Sequence, residues 1–507
     1  MDQSKKHVII IGAGLGGLTT ACLLGKKGYK VTILEKNDLP GGRANLLIRD
    51  SIKGQFIFDK GPSWYMMPDI FEHTFSLLGE NITDHMELSL LSPSYRVFLE
   101  STKQSYDFYA DIEKNKQTFE SLEKGSGAVL ENFLEQTKEQ YEIAVNEFMF
   151  KNYDSIFDFM NRRVMSLGAR LPLFKKQSTI INKKFHHELL RKVMQYQTVL
   201  LGTSPFETPG IYTLMNYVDF KLGVWYPKGG IYEIPKALVR IAQKHNVTIR
   251  TNTSVTEIIV QNGKASGVRL ETGEILEADI IVSNADYHHT EQTLLAPEYR
   301  EHTERYWDKR TLAPSAFILY LGIDGTIPSL SHHNLLFSKN WEENFKQIFD
   351  TPTWPDSPSV YVCAPSKSDN AVAPENTENL FVLVPIASGL TSTEEHKKMY
   401  TEKILTLLEQ ELHIPNLRER ILLQEVYSVE NFISDYNAFK GTALGLAHTL
   451  SQTAIMRPNN ISKKVRDLYF VGAGTNPGIG MPICLISAEL VYKRIEGITH
   501  PHPLTEL

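Results

Sequence analysis

The chain has 507 residues, 42% of them hydrophobic and 22% charged, with a formal net charge of −6. That length exceeds what one simple core holds and predicts two intertwined domains. The ordinary globular composition and mildly acidic balance exclude a disordered chain and a nucleic-acid binder, so no nucleic-acid partner is expected.

The first element carries the most information. Val8 to Ile11 is a β-branched run that leads into GxGxxG at Gly12, Gly14 and Gly17, with Ala13 between the first two glycines. A helix-like segment follows, then a second apolar run, Val31 to Leu34, that ends on Glu35 and Lys36. Strand, glycine turn, helix, strand and acid in this order form the dinucleotide-binding βαβ fingerprint. In it Gly12 makes the tight turn, Gly14 lets the backbone approach a pyrophosphate, and Gly17 lets helix and strand pack closely. Glu35 is placed to accept from a ribose hydroxyl, and an acid there argues against a 2′-phosphate, hence against NADP. FAD and NAD both fit at this point.

The N-terminus enters the first strand without a secretory apolar region, and no run of about 18 or more apolar residues occurs, so neither a leader nor a transmembrane span is expected. The three cysteines, Cys22, Cys363 and Cys484, are scattered without CxxC or metal spacing. They read as reduced residues of a cytoplasmic protein, and no metal-ligand set is expected.

Farther along, Gly41-Gly42-Arg43 and Gly61-Pro62 mark turns, and Pro68 to Phe71 opens a helix. Phe119 to Met149 has helical spacing and predicts one exposed amphipathic helix. Trp225 to Gly230 ends in a turn before a helix over Ile234 to His245. Tight alternation then runs through Val247–Arg250, Val255–Val260, Ala265–Leu270 and Ile275–Val282, with Asn262-Gly263 and Thr272-Gly273 turns. This pattern indicates a small antiparallel meander that returns to the main sheet at Ile280–Val282. Between about 300 and 440, strands at Ala316–Leu321, Ser359–Cys363 and Leu380–Val384 and a helix at Glu394–Leu412 suggest a second, α+β domain. A last strand, Leu468 to Val471, meets a glycine-rich loop through Gly472, Gly474, Gly478 and Gly480, and then Met481, Pro482 and a final helix. Such a loop lets backbone approach a ligand closely, with a helix N-terminus beside it.

Taken together, the GxGxxG with Glu35, the Gly41–Arg43 turn, Trp225–Gly230, Asn284–His289 and the stretch Gly441–Pro482 resemble the bacterial carotenoid desaturases of the phytoene desaturase type, over essentially the whole chain. The first motif is shared by all amine-oxidase-like flavoproteins, whereas Gln452–Pro458 and Gly472–Pro482 resemble this family more specifically. The resemblance implies an α/β fold: a Rossmann-like FAD-binding domain, with a parallel sheet and a β-meander insertion, intertwined with an α+β substrate domain. The implied division is 1–85, 229–298 and 440–507 for FAD, and 86–228 and 299–439 for substrate. FAD is the implied cofactor. Gly12, Ala13, Gly14 and Gly17 would hold its pyrophosphate, Glu35 and Lys36 the ribose end, and Gly42 and Arg43 would lie beside the phosphates. Val255 would touch the adenine, and Gly474, Gly480, Met481 and Pro482 would lie along the flavin.

The implied activity is desaturation of 15-cis-phytoene toward lycopene. Diapophytoene desaturases and carotenoid terminal oxygenases carry the same motifs, an amine oxidase shares the first of them, and a non-catalytic FAD-binding escort protein is the reading of another class. An unactivated C–H bond is too weak an acid for a side-chain base, so hydride loss to the flavin, followed by proton loss from the allylic cation, is the expected chemistry. No catalytic side chain is therefore assigned. The pairs His288-His289 and His332-His333 read as hydrogen-bonded loop or surface residues. The long-chain polyene substrate resides in lipid, and the electron acceptor would be quinone or oxygen. A peripheral contact with the inner face of the cell membrane is expected from residues 155–192, where Arg162, Arg163, Arg170, Lys175, Lys176, Lys183, Lys184, Arg191 and Lys192 accompany Phe159, Met160, Leu171 and Phe174. A solvated helical face is the alternative for the same pattern.

Overall fold

The computed structural model describes residues 6–102, 104–155, 158, 166–168 and 170–507. Its five-stranded sheet is parallel throughout, in the order Leu468–Phe470, Ile280–Ser283, His7–Ile11, Lys30–Leu34, Thr248–Arg250. Parallel strands buried on both faces need near-continuous apolar runs. Val8, Ile10, Val31 and Ile33 accordingly face one core, while Ile9, Ile11 and Leu34 face another.

The helix Leu15–Lys27 packs on the first of these cores between the helices Glu233–Lys244 and Met481–Glu496. It stops at Gly28, whose φ of 100° is left-handed and whose N–H returns to the Leu24 and Gly25 carbonyls. On the other face lies the antiparallel meander Val255–Gln261, Lys264–Leu270, Ile275–Glu277. Asn262 and Gly263 both take positive φ, which suits the right-handed twist of a two-residue hairpin.

The larger sheet has seven strands, ordered Ile421–Tyr427, Ser315–Asp324, Thr377–Ile386, Val360–Cys363, His333–Phe337, Tyr95–Leu99, Ser105–Phe108. All neighbours are antiparallel except His333–Phe337 with Tyr95–Leu99. Along Ser315–Asp324 the period of two sends Phe317, Leu319, Leu321 and Ile323 toward the helix Glu394–Glu411. Ala316, Ile318 and Tyr320 face the opposite way, toward Phe56 and Phe58 of the hairpin Leu46–Asp59.

Three expectations need correction. The helix expected over Phe119–Met149 is two helices, Ile112–Leu122 and Ser126–Ile143, followed by a π-helical turn at Ala144–Met149. Gly125 takes φ 85°, which a helix interior does not accommodate, and so breaks the run. Thr248–Arg250 belongs to the parallel sheet as its edge strand, not to the tight antiparallel series. In the basic segment, Lys192 is buried and donates to the Ser338 carbonyl at 2.9 Å, so it cannot face lipid. Arg170 pairs with Glu139 and Lys176 with Glu207, while Phe174 stands 89% exposed. Phe159, Met160, Arg162 and Arg163 lie outside the described residues. Among the described residues no helix is long and apolar enough to cross a membrane.

Candidate functional site

One cavity of about 1290 Å³ runs from the end of the parallel sheet to the larger sheet. Its nucleotide end is lined by Gly12, Gly14, Glu35, Lys36, Gly42, Arg43 and Val255, and its middle by Gly474, Gly480, Met481 and Pro482. Ala13 and Gly17 do not line the cavity but shape its wall. The Ala13 N–H donates to Glu35 Oε2 at 2.7 Å, and a Cβ on Gly17 would stand 2.3 Å from the Gly12 carbonyl oxygen. Close helix–strand packing thus accounts for Gly17 as the sequence suggests. Glu35 is nearly fully buried and also accepts from the Asn37 N–H at 2.9 Å, so its carboxylate braces the glycine turn in addition to the ribose contact expected of it.

Gly14 shows a cause that the motif alone does not reveal. Its φ of −71° is open to any residue, but a Cβ there would lie 2.7 Å from Asn284 Oδ1. The Asn284 side chain is wedged between the first glycine turn and Gly472, donates to the Val471 carbonyl at 2.9 Å, and leaves Oδ1 buried without a partner. Arg43 reaches over the Tyr436 ring at 5.3 Å, and its Nε is likewise buried without a partner. A buried guanidinium N–H lining a glycine-walled cavity suits phosphate oxygens. The residues present therefore fit FAD. Gly12, Gly14, Gly42 and Arg43 would hold the pyrophosphate, Glu35 the ribose, and Val255 the adenine. Lys36 extends instead to the Ser434 carbonyl and tethers the helix Val429–Tyr436 over this end.

The second glycine loop is held from beneath by a residue whose role the motif left open. Arg457 is buried and donates only to carbonyls: Thr475 at 3.0 Å from Nε, Ala473 at 2.7 Å and Leu446 at 3.1 Å from Nη2, and Gln452 at 3.4 Å from Nη1. Burial pulls its pKa down to about 10. Beside it, His448 Nε2 accepts from the Ile479 N–H at 3.0 Å, and Nδ1 meets the Tyr212 hydroxyl. Burial and the Arg457 charge hold His448 well below the usual histidine range, so the ring is neutral and spaces the loop before Gly480. Gly480 takes φ 125° and starts the helix Met481–Glu496, whose first residues, Met481, Pro482 and Ile483, line the cavity, so its N-terminus abuts it.

Away from the glycines the wall is apolar and aromatic, including Leu200, Leu336, Phe337, Trp341, Phe345 and Ile348. Among the described residues, the acids that line the cavity are Glu35, Asp286 and Asp435, each close to the glycine turn or to Arg43 and Tyr436. This arrangement can hold a long uncharged chain dry beside a flavin. The histidine pairs divide. His288 and His289 lie in the helical turn Tyr287–His289 rather than in a loop, and are half-buried: His288 stacks on Phe439 at 3.9 Å and pairs with Glu304, and His289 meets the Asn437 amide. His332, in the bend before the strand, and His333, its first residue, are hydrogen-bonded but buried rather than at the surface, because the strand His333–Phe337 is interior to the larger sheet.

The sequence matches the family described as flavin containing amine oxidoreductase over residues 15–495. It is 42% identical over 491 residues to the carotenoid 3,4-desaturase of Haloarcula japonica, covering 96% of this chain and 97% of that protein. It is 34% identical to the zeta-carotene-forming phytoene desaturase of Myxococcus xanthus, covering 98% and 95%. Against the 4,4′-diapophytoene desaturase of Staphylococcus haemolyticus the identity is 31%, covering 97% and 99%. Among solved structures, an oxidoreductase from Methanosarcina mazei superposes with a TM-score of 0.61 at 19% identity, covering 96% and 100%. Cyclohexylamine oxidase from Brevibacterium oxydans gives 0.60 at 15%, covering 97% and 99%, and like the former shares the fold. With its paired glycine loops on one cavity and this extent of similarity, the chain belongs to the carotenoid desaturase branch of the flavin-containing amine oxidoreductases.

Proposed function

We propose that the protein is an FAD-dependent oxidoreductase of CH–CH groups that introduces double bonds into an acyclic carotenoid. The observation that carries this reading is the continuity of one cavity from the glycine-walled nucleotide end to a wall that is aromatic and, among the described residues, free of acids. FAD, when bound, supplies the hydride acceptor for a C–H bond that side-chain bases cannot deprotonate near neutral pH. The chain's own residues orient and shield. Arg43 and the first glycine turn anchor the phosphates, Arg457 and His448 hold the second loop in place, and the aromatic wall keeps water from the polyene.

Similarity to the 3,4-desaturase is stronger than to the phytoene desaturases and puts 3,4-desaturation ahead of the phytoene-to-lycopene sequence. Expression in bacteria that accumulate phytoene, diapophytoene or lycopene, with liquid chromatography of the pigments, separates these readings. A longer chromophore made from lycopene supports 3,4-desaturation. Coloured products from phytoene or from the C30 precursor move the assignment to that substrate, and an oxygenated product moves it to a terminal oxygenase. Unchanged pigments in all strains, despite folded and FAD-loaded protein, overturn desaturation and favour an escort role. Anaerobic turnover with and without added quinone distinguishes quinone from oxygen as the acceptor.

The substrate's solubility calls for a lipid surface, and three residues support one. Phe174, Leu450 and Met456 line the cavity and are 89%, 47% and 57% exposed, so they stand at its openings. Exposed apolar side chains with Lys175 and Lys183 close by in the chain suit an anionic interface.

A further inference from the structure

We propose that His332, His333 and Cys363 form a buried binding site for a thiophilic metal ion of the zinc or copper(I) class. The strand register brings them together. His333 is the antiparallel partner of Cys363, which places both side chains on one face of the larger sheet. His332 turns back from the strand entrance so that the two imidazoles lie 4.4 Å apart at 68°. One ring nitrogen of each histidine and the Cys363 sulfur all lie within 4.8 Å of one another, and all three residues are buried.

The hydrogen bonds around the rings are those of metal-binding histidines. His332 Nδ1 meets Ser368 Oγ at 2.6 Å, and His333 Nδ1 meets the Tyr361 hydroxyl at 2.8 Å. Both Nε2 atoms are buried and have no partner. An imidazole bonded through one nitrogen has its orientation and tautomer set and presents the other as a ligand. A buried polar atom left unpaired is costly in a sheet this well packed, and a metal ion would satisfy both at once. Two imidazoles and one thiol are the donor set that zinc and copper(I) prefer over magnesium or calcium. On binding, the Cys363 thiol proton leaves to solvent, the thiolate bonds the ion, and no electrons are transferred. A water would complete a tetrahedron.

The site stands directly behind the substrate cavity. Trp64 stacks on His333 at 4.2 Å, and Trp64, Ser63 and Tyr361 all line the cavity. The ion would tie the strands His333–Phe337 and Val360–Cys363 together beneath that wall. This inference does not depend on which polyene is the substrate.

The test loads the FAD-bound enzyme separately with Zn²⁺ and with Cu⁺ under reducing conditions, removes free metal by gel filtration, and counts metal and flavin per chain. About one equivalent of one of the two ions is expected, with X-ray absorption showing one sulfur at about 2.3 Å and two imidazole nitrogens at about 2.0–2.1 Å if zinc is the ion. Cys363→Ser and His332→Gln should each lower the retained metal about tenfold or more while the flavin-to-protein ratio stays unchanged. Retention below about one-tenth equivalent of either ion by the wild-type enzyme, a first shell without sulfur, or undiminished metal in a folded Cys363→Ser variant would overturn the site. The sulfur count in the wild-type enzyme decides the matter even if a variant fails to fold.

Discussion

Gly17 shows how a single hydrogen atom can decide a fold. Gly17→Ala puts a methyl group 2.3 Å from the backbone oxygen of Gly12, which has no side chain to rotate away. The expected cost is about 1–3 kcal/mol, read from urea denaturation, together with flavin loss on gel filtration. Stability and flavin content equal to wild type would show that the turn yields. Arg457 illustrates the opposite situation, a buried cation whose partners are all carbonyls. Arg457→Gln leaves most of those acceptors unpaired and should cost at least about 3 kcal/mol. Flavin release followed by fluorescence during heating should begin at lower temperature, with Arg457→Lys intermediate. Identical release profiles for all three proteins would remove Arg457 from any role in holding the loop.

At the scale of elements, burial writes a pH dependence into the packing between the π-helical turn Val218–Leu222 and its neighbours. Asp219 Oδ2 accepts from Tyr95 and Tyr196 at 3.0 Å and from Gln197 at 2.8 Å, but the group is fully enclosed. Burial outweighs these hydrogen bonds and raises its pKa from 3.8 to about 6. A raised carboxyl pKa means that the folded state holds its proton longer than the unfolded state. Its stabilising contribution is therefore complete below pH 3.8 and is lost as pH rises through about 6. The difference amounts to roughly 2.4 kcal/mol between pH 4 and 7. Asp219→Asn cannot titrate, so unfolding free energies measured across that range should fall less with pH than in the wild-type protein. Parallel profiles would show that Asp219 titrates normally.

Elements also show how far pattern reading reaches. The strand Ile280–Ser283 and the meander before it were legible because alternation and Asn-Gly turns are local signals. The edge strand Thr248–Arg250 was not, because three alternating residues fit either a parallel or an antiparallel neighbour. Only the sheet into which they dock decides between the two. The break at Gly125 was written in the sequence as a glycine, but helical periodicity continues on both sides and masked it.

For the whole molecule, the disposition of the cavity predicts where substrate enters. Replacing Phe174, Leu450 and Met456 together by Ser should lower binding to anionic vesicles and slow turnover of vesicle-embedded polyene about tenfold or more, with FAD content unchanged. Equal vesicle binding by wild type and triple variant would place the lipid contact elsewhere. Three basic residues of the segment are engaged within the protein. Lys192 is turned inward, and Arg170 and Lys176 are already paired with Glu139 and Glu207.

What the sequence by itself determined is the nucleotide end. The glycine turn, Glu35 and the second glycine loop each lie within a few residues of a strand end, and contiguous residues carry their own geometry. The tertiary structure alone decided which residues meet across the chain. Asn284 lodges among Gly14, Gly16 and Gly472, Arg457 gathers carbonyls from two loops, and His333 lies opposite Cys363. These meetings depend on strand register and loop docking over separations of tens to hundreds of residues, for which a single sequence holds no periodic signal. The shape of the cavity belongs with them, because its wall is assembled from both sheets and becomes continuous only when they pack.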